Sequence, residues 1–240
     1  DNSPYDCGSY ASSTTYVTGM AVVKTCETLR KKICERGAEY LGCSPDDVEF
    51  DGEKVVNLKT KEEITRKEIG NKVMCSSNAP LSATEAFSSP VSPPPFMVGI
   101  AEVEIDKETG VVEPIDYAAV VDCGTVVNPN LARVQTEGGI AQGIGMALYE
   151  DIIYSEKGKN YSNSFMQYKI PSRLDVGEIR VEFESSYEPT GPFGAKSIGE
   201  IVINTPSPAI SNAVQNAVGV IVRELPITAE KVYKGMAEKE

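Results

Sequence analysis

Apolar positions along the chain follow two periods. Val22, Cys26, Leu29 and Ile33 recur at helical spacing with Lys and Arg on the other face, which predicts an amphipathic helix from about Thr18, weakened at its end by Gly37 and Gly42. Val48-Glu49-Phe50, then Asp51-Gly52, then Lys54-Val55-Val56 reads as a hairpin, because Asp-Gly supplies the left-handed backbone of a tight turn. Lys61 to Met74 reads as a second helix. Residues 76–95 are rich in Ser and Pro and end in Ser92-Pro93-Pro94-Pro95; consecutive prolines join neither a helix nor a central strand, so this stretch is a connection. Val98 to Ile105 alternates, Asp106 to Gly110 turns and Val111 to Val121 returns, the clearest strand pair in the chain. Leu131 to Tyr149 is helical despite Gly138, Gly139, Gly143 and Gly145, and residues 179–187 read as a strand. Thr205-Pro206 opens a helix with Ile210, Ala213, Val214, Ala217, Val218 and Ile221 along one face. Leu225-Pro226 stops it, and Thr228 caps a short last helix. Hairpins mixed with helices predict an α+β fold, with mixed sheets and packed helices in two lobes, 1–95 and 96–240.

Charge narrows the partners. With 35 acidic and 23 basic residues the chain carries a net charge of −12, which repels phosphate backbones and anionic lipid; neither a nucleic acid nor a membrane is an expected partner. The chain contains no His, which excludes Ser-His-Asp and Cys-His nucleophilic sites and imidazole-based zinc sites built from this chain. Cys7, Cys26, Cys34, Cys43, Cys75 and Cys123 form no C-x-x-C pair, so zinc-ribbon, thioredoxin and ferredoxin spacings are absent. Scattered singly, they read as small buried hydrophobes of a reducing compartment. No apolar run approaches the roughly 20 residues that span a bilayer, and no signal-peptide pattern opens the chain. The expected location is cytoplasmic, and a first residue of Asp1 rather than Met reads as a fragment or processed subunit.

Three segments carry candidate chemistry, each with two readings. Gly143-Ile144-Gly145 begins like a dinucleotide fingerprint, but Leu148 stands where the third glycine belongs, and no Lys-Ser/Thr follows for a Walker loop. The glycines then serve either tight helix packing or the close approach of a ligand. Ser9 to Thr15, just before a helix, is either an ordinary cap and loop or a cradle of N–H groups and hydroxyls for an anion. Glu200, after Gly194-Ala195-Lys196-Ser197-Ile198-Gly199, is either a surface carboxylate, free or paired with Lys196, or a base in an apolar setting. Burial disfavours ionisation of a carboxyl, which suits a proton acceptor near neutral pH.

Four segments, in this order, resemble the C-terminal part of the molybdenum-containing large subunit of the xanthine oxidase (molybdenum hydroxylase) family. They are Gly8 to Thr15 with Gly19; Asp122-Cys123-Gly124-Thr125-Val126-Val127-Asn128-Pro129; Gln135-Thr136-Glu137-Gly138-Gly139-Ile140-Ala141-Gln142-Gly143-Ile144-Gly145; and Gly194 through Glu200. Tyr168-Lys169-Ile170-Pro171 and the helix after Pro206 match as well. The resemblance runs along nearly the whole chain and implies a molybdenum cofactor-binding domain. It implies that Tyr10, Ala11, Ser12, Ser13 and Thr14 contact molybdopterin and its phosphate or cytosine dinucleotide tail through amides and hydroxyls. It further implies that Gln135 hydrogen-bonds the cofactor, that Gly138 and Gly139 let the backbone approach it, and that Glu200 is the base beside molybdenum, which takes no protein ligand.

The implied reaction is hydroxylation of an electron-poor carbon with water as oxygen source. The expected substrate is an N-heteroaromatic, purine or nicotinate-like, or else an aldehyde. Electrons would pass to Fe-S and FAD centres on partner subunits. Family large subunits are much longer, so an upstream molybdenum-domain chain is a further expected partner, and activity is expected only with partner chains. The alternatives are a non-catalytic scaffold subunit of such a complex, or an unrelated acidic small-molecule binder.

Overall fold

A computed structural model describes residues 5, 8–76 and 80–238. The chain divides into two compact units, Tyr16–Pro90 and a second that joins the residues up to Thr15 to those from Val91 onward. This differs from a division at residue 95: the first segment groups with the C-terminal unit, because Ser12 bonds Glu200, 188 positions away.

In the smaller unit, α1 (Gly19–Leu41) follows a single π-helical turn, Thr14–Thr18. α1 continues through Gly37, which lies against Val55, where a Cβ would come within 2.7 Å of Cγ1. Gly42 ends α1 in the left-handed conformation (φ 65°). Of the predicted apolar stripe Ile33 is buried and Leu29 packs beside it, whereas Val22 and Cys26 are exposed. The hairpin forms as β1 (Val48–Phe50) and β2 (Lys54–Asn57), antiparallel, with β3 (Glu63–Thr65) added beside β2. The second helix is therefore shorter than its pattern suggests. It is α2 (Arg66–Met74), started by a reciprocal capping box in which Thr65 and Glu68 bond each other's backbone N–H. Ile33, Val55, Ile64, Ile69 and Val73 form the core. Residues 80–95 contain neither helix nor strand.

The larger unit is built on β4 (Phe96–Ile105) and β5 (Val112–Asp122), paired antiparallel with Phe96 opposite Asp122, and β6 (Glu178–Phe183), parallel to β5. The parallel pairing follows from the connection: 55 residues separate the two strands, among them α3 (Pro129–Leu148). The helix predicted from Thr205-Pro206 is α5 (Pro206–Val218), preceded by a single turn, α4 (Ile201–Asn204), and Gly219 in the left-handed conformation (φ 72°) ends α5 before Leu225-Pro226 is reached. Ile210 and Val214 are buried as predicted, but Ala217 and Ile221 are exposed. Thr228 caps α6 (Ala229–Ala237) by accepting from the Lys231 N–H. Inner-face residues Tyr117, Ala119, Val121 and Val181 meet Ile140, Ile144, Val202, Ile210 and Val214 in one core. The architecture is the α+β fold with two small sheets and packed helices.

Among the described residues no helix is long and apolar enough to cross a membrane. The cysteines do not behave alike: Cys123 is buried, Cys34 and Cys43 are half-buried, and Cys26 and Cys75 are exposed. Cys7 lies outside the described residues.

Candidate functional site

The end of β5 sets the site. Gly124 has φ 71°, and its N–H donates to Asp122 Oδ1. A side chain there would run into the backbone at Gly194 and Lys196, so only glycine lets residues 191–200 lie against the strand end. That segment is held by Thr125 N–H to Gly194 C=O at 2.8 Å and Lys196 N–H to Cys123 C=O at 2.8 Å. Asn128 then caps α3, its side chain accepting from the Leu131 N–H, with Pro129 in the first turn.

Lys196 does not pair with Glu200. Its ammonium, in a side chain only 7% exposed, donates to Asp122 Oδ2 at 2.7 Å and lies over the Phe96 ring. Partial burial by itself would raise the Asp122 carboxyl. Hydrogen bonds from Lys196, Ser186 Oγ and the Gly124 N–H outweigh it and hold the carboxyl below its usual range. This ion pair locks the loop that delivers Glu200. The sequence offered Lys196 only as a partner for Glu200 and pointed to no role for Asp122, although a lone lysine amid small residues is a signal that a counter-ion lies near.

The segment Tyr10–Thr14 turns sharply. Ala11 and Ser12 have φ 48° and 54°, and Ser13 N–H closes the turn onto Tyr10 C=O. Two successive non-glycine residues in this region cost about 1–2 kcal/mol each, so the turn is held by its contacts. Ser12 Oγ accepts from the Glu200 N–H at 2.9 Å and donates to Glu200 Oε2 at 3.0 Å. Ser13 Oγ donates to Tyr10 C=O and Thr14 Oγ1 to Ser9 Oγ. The hydroxyl protons of Ser12, Ser13 and Thr14 are thus directed within the protein. Tyr10 and Ala11 are exposed.

Gln135 joins them. A Cβ on Gly199 would meet Ser12 Oγ at 3.1 Å and Gln135 Nε2 at 3.9 Å. Ser12, Gln135 and Glu200 are thus brought together from three distant stretches. Beside them lies a cleft of about 310 Å³, lined in part by Thr15, Thr125, Asn128, Gln135 and Lys196. Glu200 itself is exposed, so this chain alone does not give it an apolar setting.

The α3 glycines divide by face. Gly138 opens onto free space. Gly139, in contrast, packs against Val202, Gly143 against Pro206 and Ile203, and Gly145 against Pro171. On its Cβ side Gly139 lets α4 approach, as the helix-packing reading has it. A Cβ on Gly143 would lie 2.6 Å from Pro206 Cγ and 2.7 Å from the Ile203 carbonyl. Gly143→Ala is expected to destabilise by about 1–3 kcal/mol, measured by denaturant unfolding. Gly138→Ala, free of neighbours, is expected to be neutral or stabilising by up to about 1 kcal/mol.

A sequence profile described as molybdopterin cofactor-binding domain matches residues 1–177. The chain is 35% identical over 241 residues to "Probable hypoxanthine oxidase XdhD" of Escherichia coli K12, a match that covers 98% of this chain and 25% of the relative. Reconstituted CO dehydrogenase from Oligotropha carboxidovorans superposes with TM-score 0.85 at 25% identity, covering 99% of this chain and 30% of that one. Quinoline 2-oxidoreductase from Pseudomonas putida 86 gives 0.84 at 26%, covering 99% and 32%. The chain thus spans a quarter to a third of the length of these relatives. With nearly three-quarters of its residues under that profile and its fold shared with these enzymes, the chain belongs to the molybdopterin cofactor-binding domain family, of the xanthine oxidase type.

Proposed function

We propose that this chain forms one wall of a molybdopterin site in a molybdenum hydroxylase and presents Glu200 as the base. The observation that carries this reading is the meeting of Ser12, Gln135 and Glu200 beside the cleft at the start of α3. The residues present fit such a group. Gln135 and Thr15 line the cleft with polar side chains, and Gly138 leaves room beside Gln135.

When bound, molybdopterin-held molybdenum supplies the two-electron acceptor for oxidising a carbon with oxygen derived from water. Overall, a C–H bond and water become C–OH, two electrons and two protons. Glu200 takes one proton at its carboxylate, Gln135 orients the cofactor through its amide, and Lys196 with Asp122 fixes the loop between them. Because Glu200 is exposed in this chain, the exclusion of water falls to the cofactor and an upstream molybdenum-domain chain. Fe-S and FAD subunits would carry the electrons away, the pterin would bear a cytosine dinucleotide, and the assembly would be cytoplasmic. Hypoxanthine and quinoline, named in two relatives, are N-heteroaromatic, which supports a purine- or nicotinate-like substrate ahead of an aldehyde.

Metal and pterin analysis of the complex containing this chain tests the proposal. Close to one molybdenum and one pterin per copy is expected; a folded complex lacking both supports the scaffold reading instead. Gly138→Ala sharpens the test, since it is expected to lower pterin content without lowering stability.

A further inference from the structure

We infer that Ser12 is the positioning residue for Glu200; this rests on the reading of Glu200 as the base. An exposed glutamate has several staggered rotamers of similar energy, and Glu200 is exposed. What singles out one orientation is the Ser12 hydroxyl, which donates to Oε2 at 3.0 Å and accepts from the Glu200 N–H at 2.9 Å. The same oxygen therefore fixes the backbone at residue 200 and aims the carboxylate. Side-chain and backbone attachment together set both position and direction, whereas either alone leaves one free.

The turn carrying Ser12 is shaped for this task. Ala11 and Ser12 hold left-handed backbone at φ 48° and 54°, and the Ser13 N–H bond to Tyr10 closes the turn. Glycine would adopt this conformation more easily, but glycine has no hydroxyl. Ser13 and Thr14 do not share the role, since their hydroxyls donate to Tyr10 C=O and Ser9 Oγ. Oε1 of Glu200 is left to face a reacting proton while Oε2 is anchored.

The test uses Ser12→Gly and Ser12→Ala in the complex containing this chain. Ser12→Gly removes the hydroxyl and eases the backbone, so a purely conformational role predicts wild-type behaviour or better. Positioning predicts instead that kcat falls about 10- to 100-fold with KM within about threefold and unchanged molybdenum and pterin content. Turnover is followed with whichever of hypoxanthine, nicotinate or benzaldehyde the wild-type complex oxidises. Independently of turnover, amide hydrogen exchange at Glu200 is expected to quicken at least about tenfold in both variants, and a crystal structure to show Oε2 displaced. A Ser12→Gly enzyme with kcat within twofold of wild type, or with Glu200 unmoved, overturns the inference. Loss of turnover in Glu200→Gln beside a fully active Ser12→Gly refutes positioning alone; a fully active Glu200→Gln refutes the base reading, while exchange at Glu200 still reports the tether.

Discussion

Glu200→Gln is expected to lower turnover by about 10²- to 10⁴-fold, the usual contribution of a general base, with molybdenum and pterin content intact. The substitution preserves shape and an acceptor for the Ser12 hydroxyl bond, which in the native protein runs to Oε2. Only the capacity to take a proton is lost. Kinetics and metal analysis on one preparation decide the matter: an activity within threefold of wild type at full molybdenum content removes Glu200 from the role.

The largest stability effect is expected at Asp122. Asp122→Asn leaves the Lys196 ammonium, in a side chain 7% exposed, without an anionic partner. Breaking a buried pair from one side costs about 3–5 kcal/mol. Because the Asp122 side chain is itself 20% exposed, about 3 kcal/mol is the expectation, a fall in Tm on the order of 10 °C for a domain of this size. Adding Lys196→Met removes the stranded charge, so the double variant is expected to be more stable than Asp122→Asn alone. The pH dependence has a definite sign. Folding lowers the Asp122 carboxyl below its ordinary value of 3.8, so its contribution is complete above that pH and fades as pH falls through the lowered folded value. The gap between wild type and Asp122→Asn therefore narrows in acid. A gap that widens below pH 4 would contradict the ion-pair account.

Local signals read correctly where one element decides its own form. The Asp51-Gly52 turn, the alternation of β4 and β5 and the Thr228 cap depend on nearest neighbours, and each forms where the sequence places it. Errors came where a distant partner chose. Residues 63–65 follow a helical pattern yet pair with β2, because the edge of that strand offers hydrogen bonds. Gly37 could not be placed without Val55, nor Gly139 without Val202. Val22 and Cys26 keep the helical period of Ile33 but lie outside the core.

By itself the sequence determined the fold class, the family through its ordered segments, and the identity of a candidate acid, since all of these are written in short contiguous runs. Only the tertiary structure decided that Ser12 holds Glu200, that Lys196 answers Asp122 rather than Glu200, and that the α3 glycines face two ways. The physical reason is one of range. Backbone preferences and periodicity act over a few residues, whereas a hydrogen bond across 188 positions exists only after the core has closed and brought its two ends to contact distance.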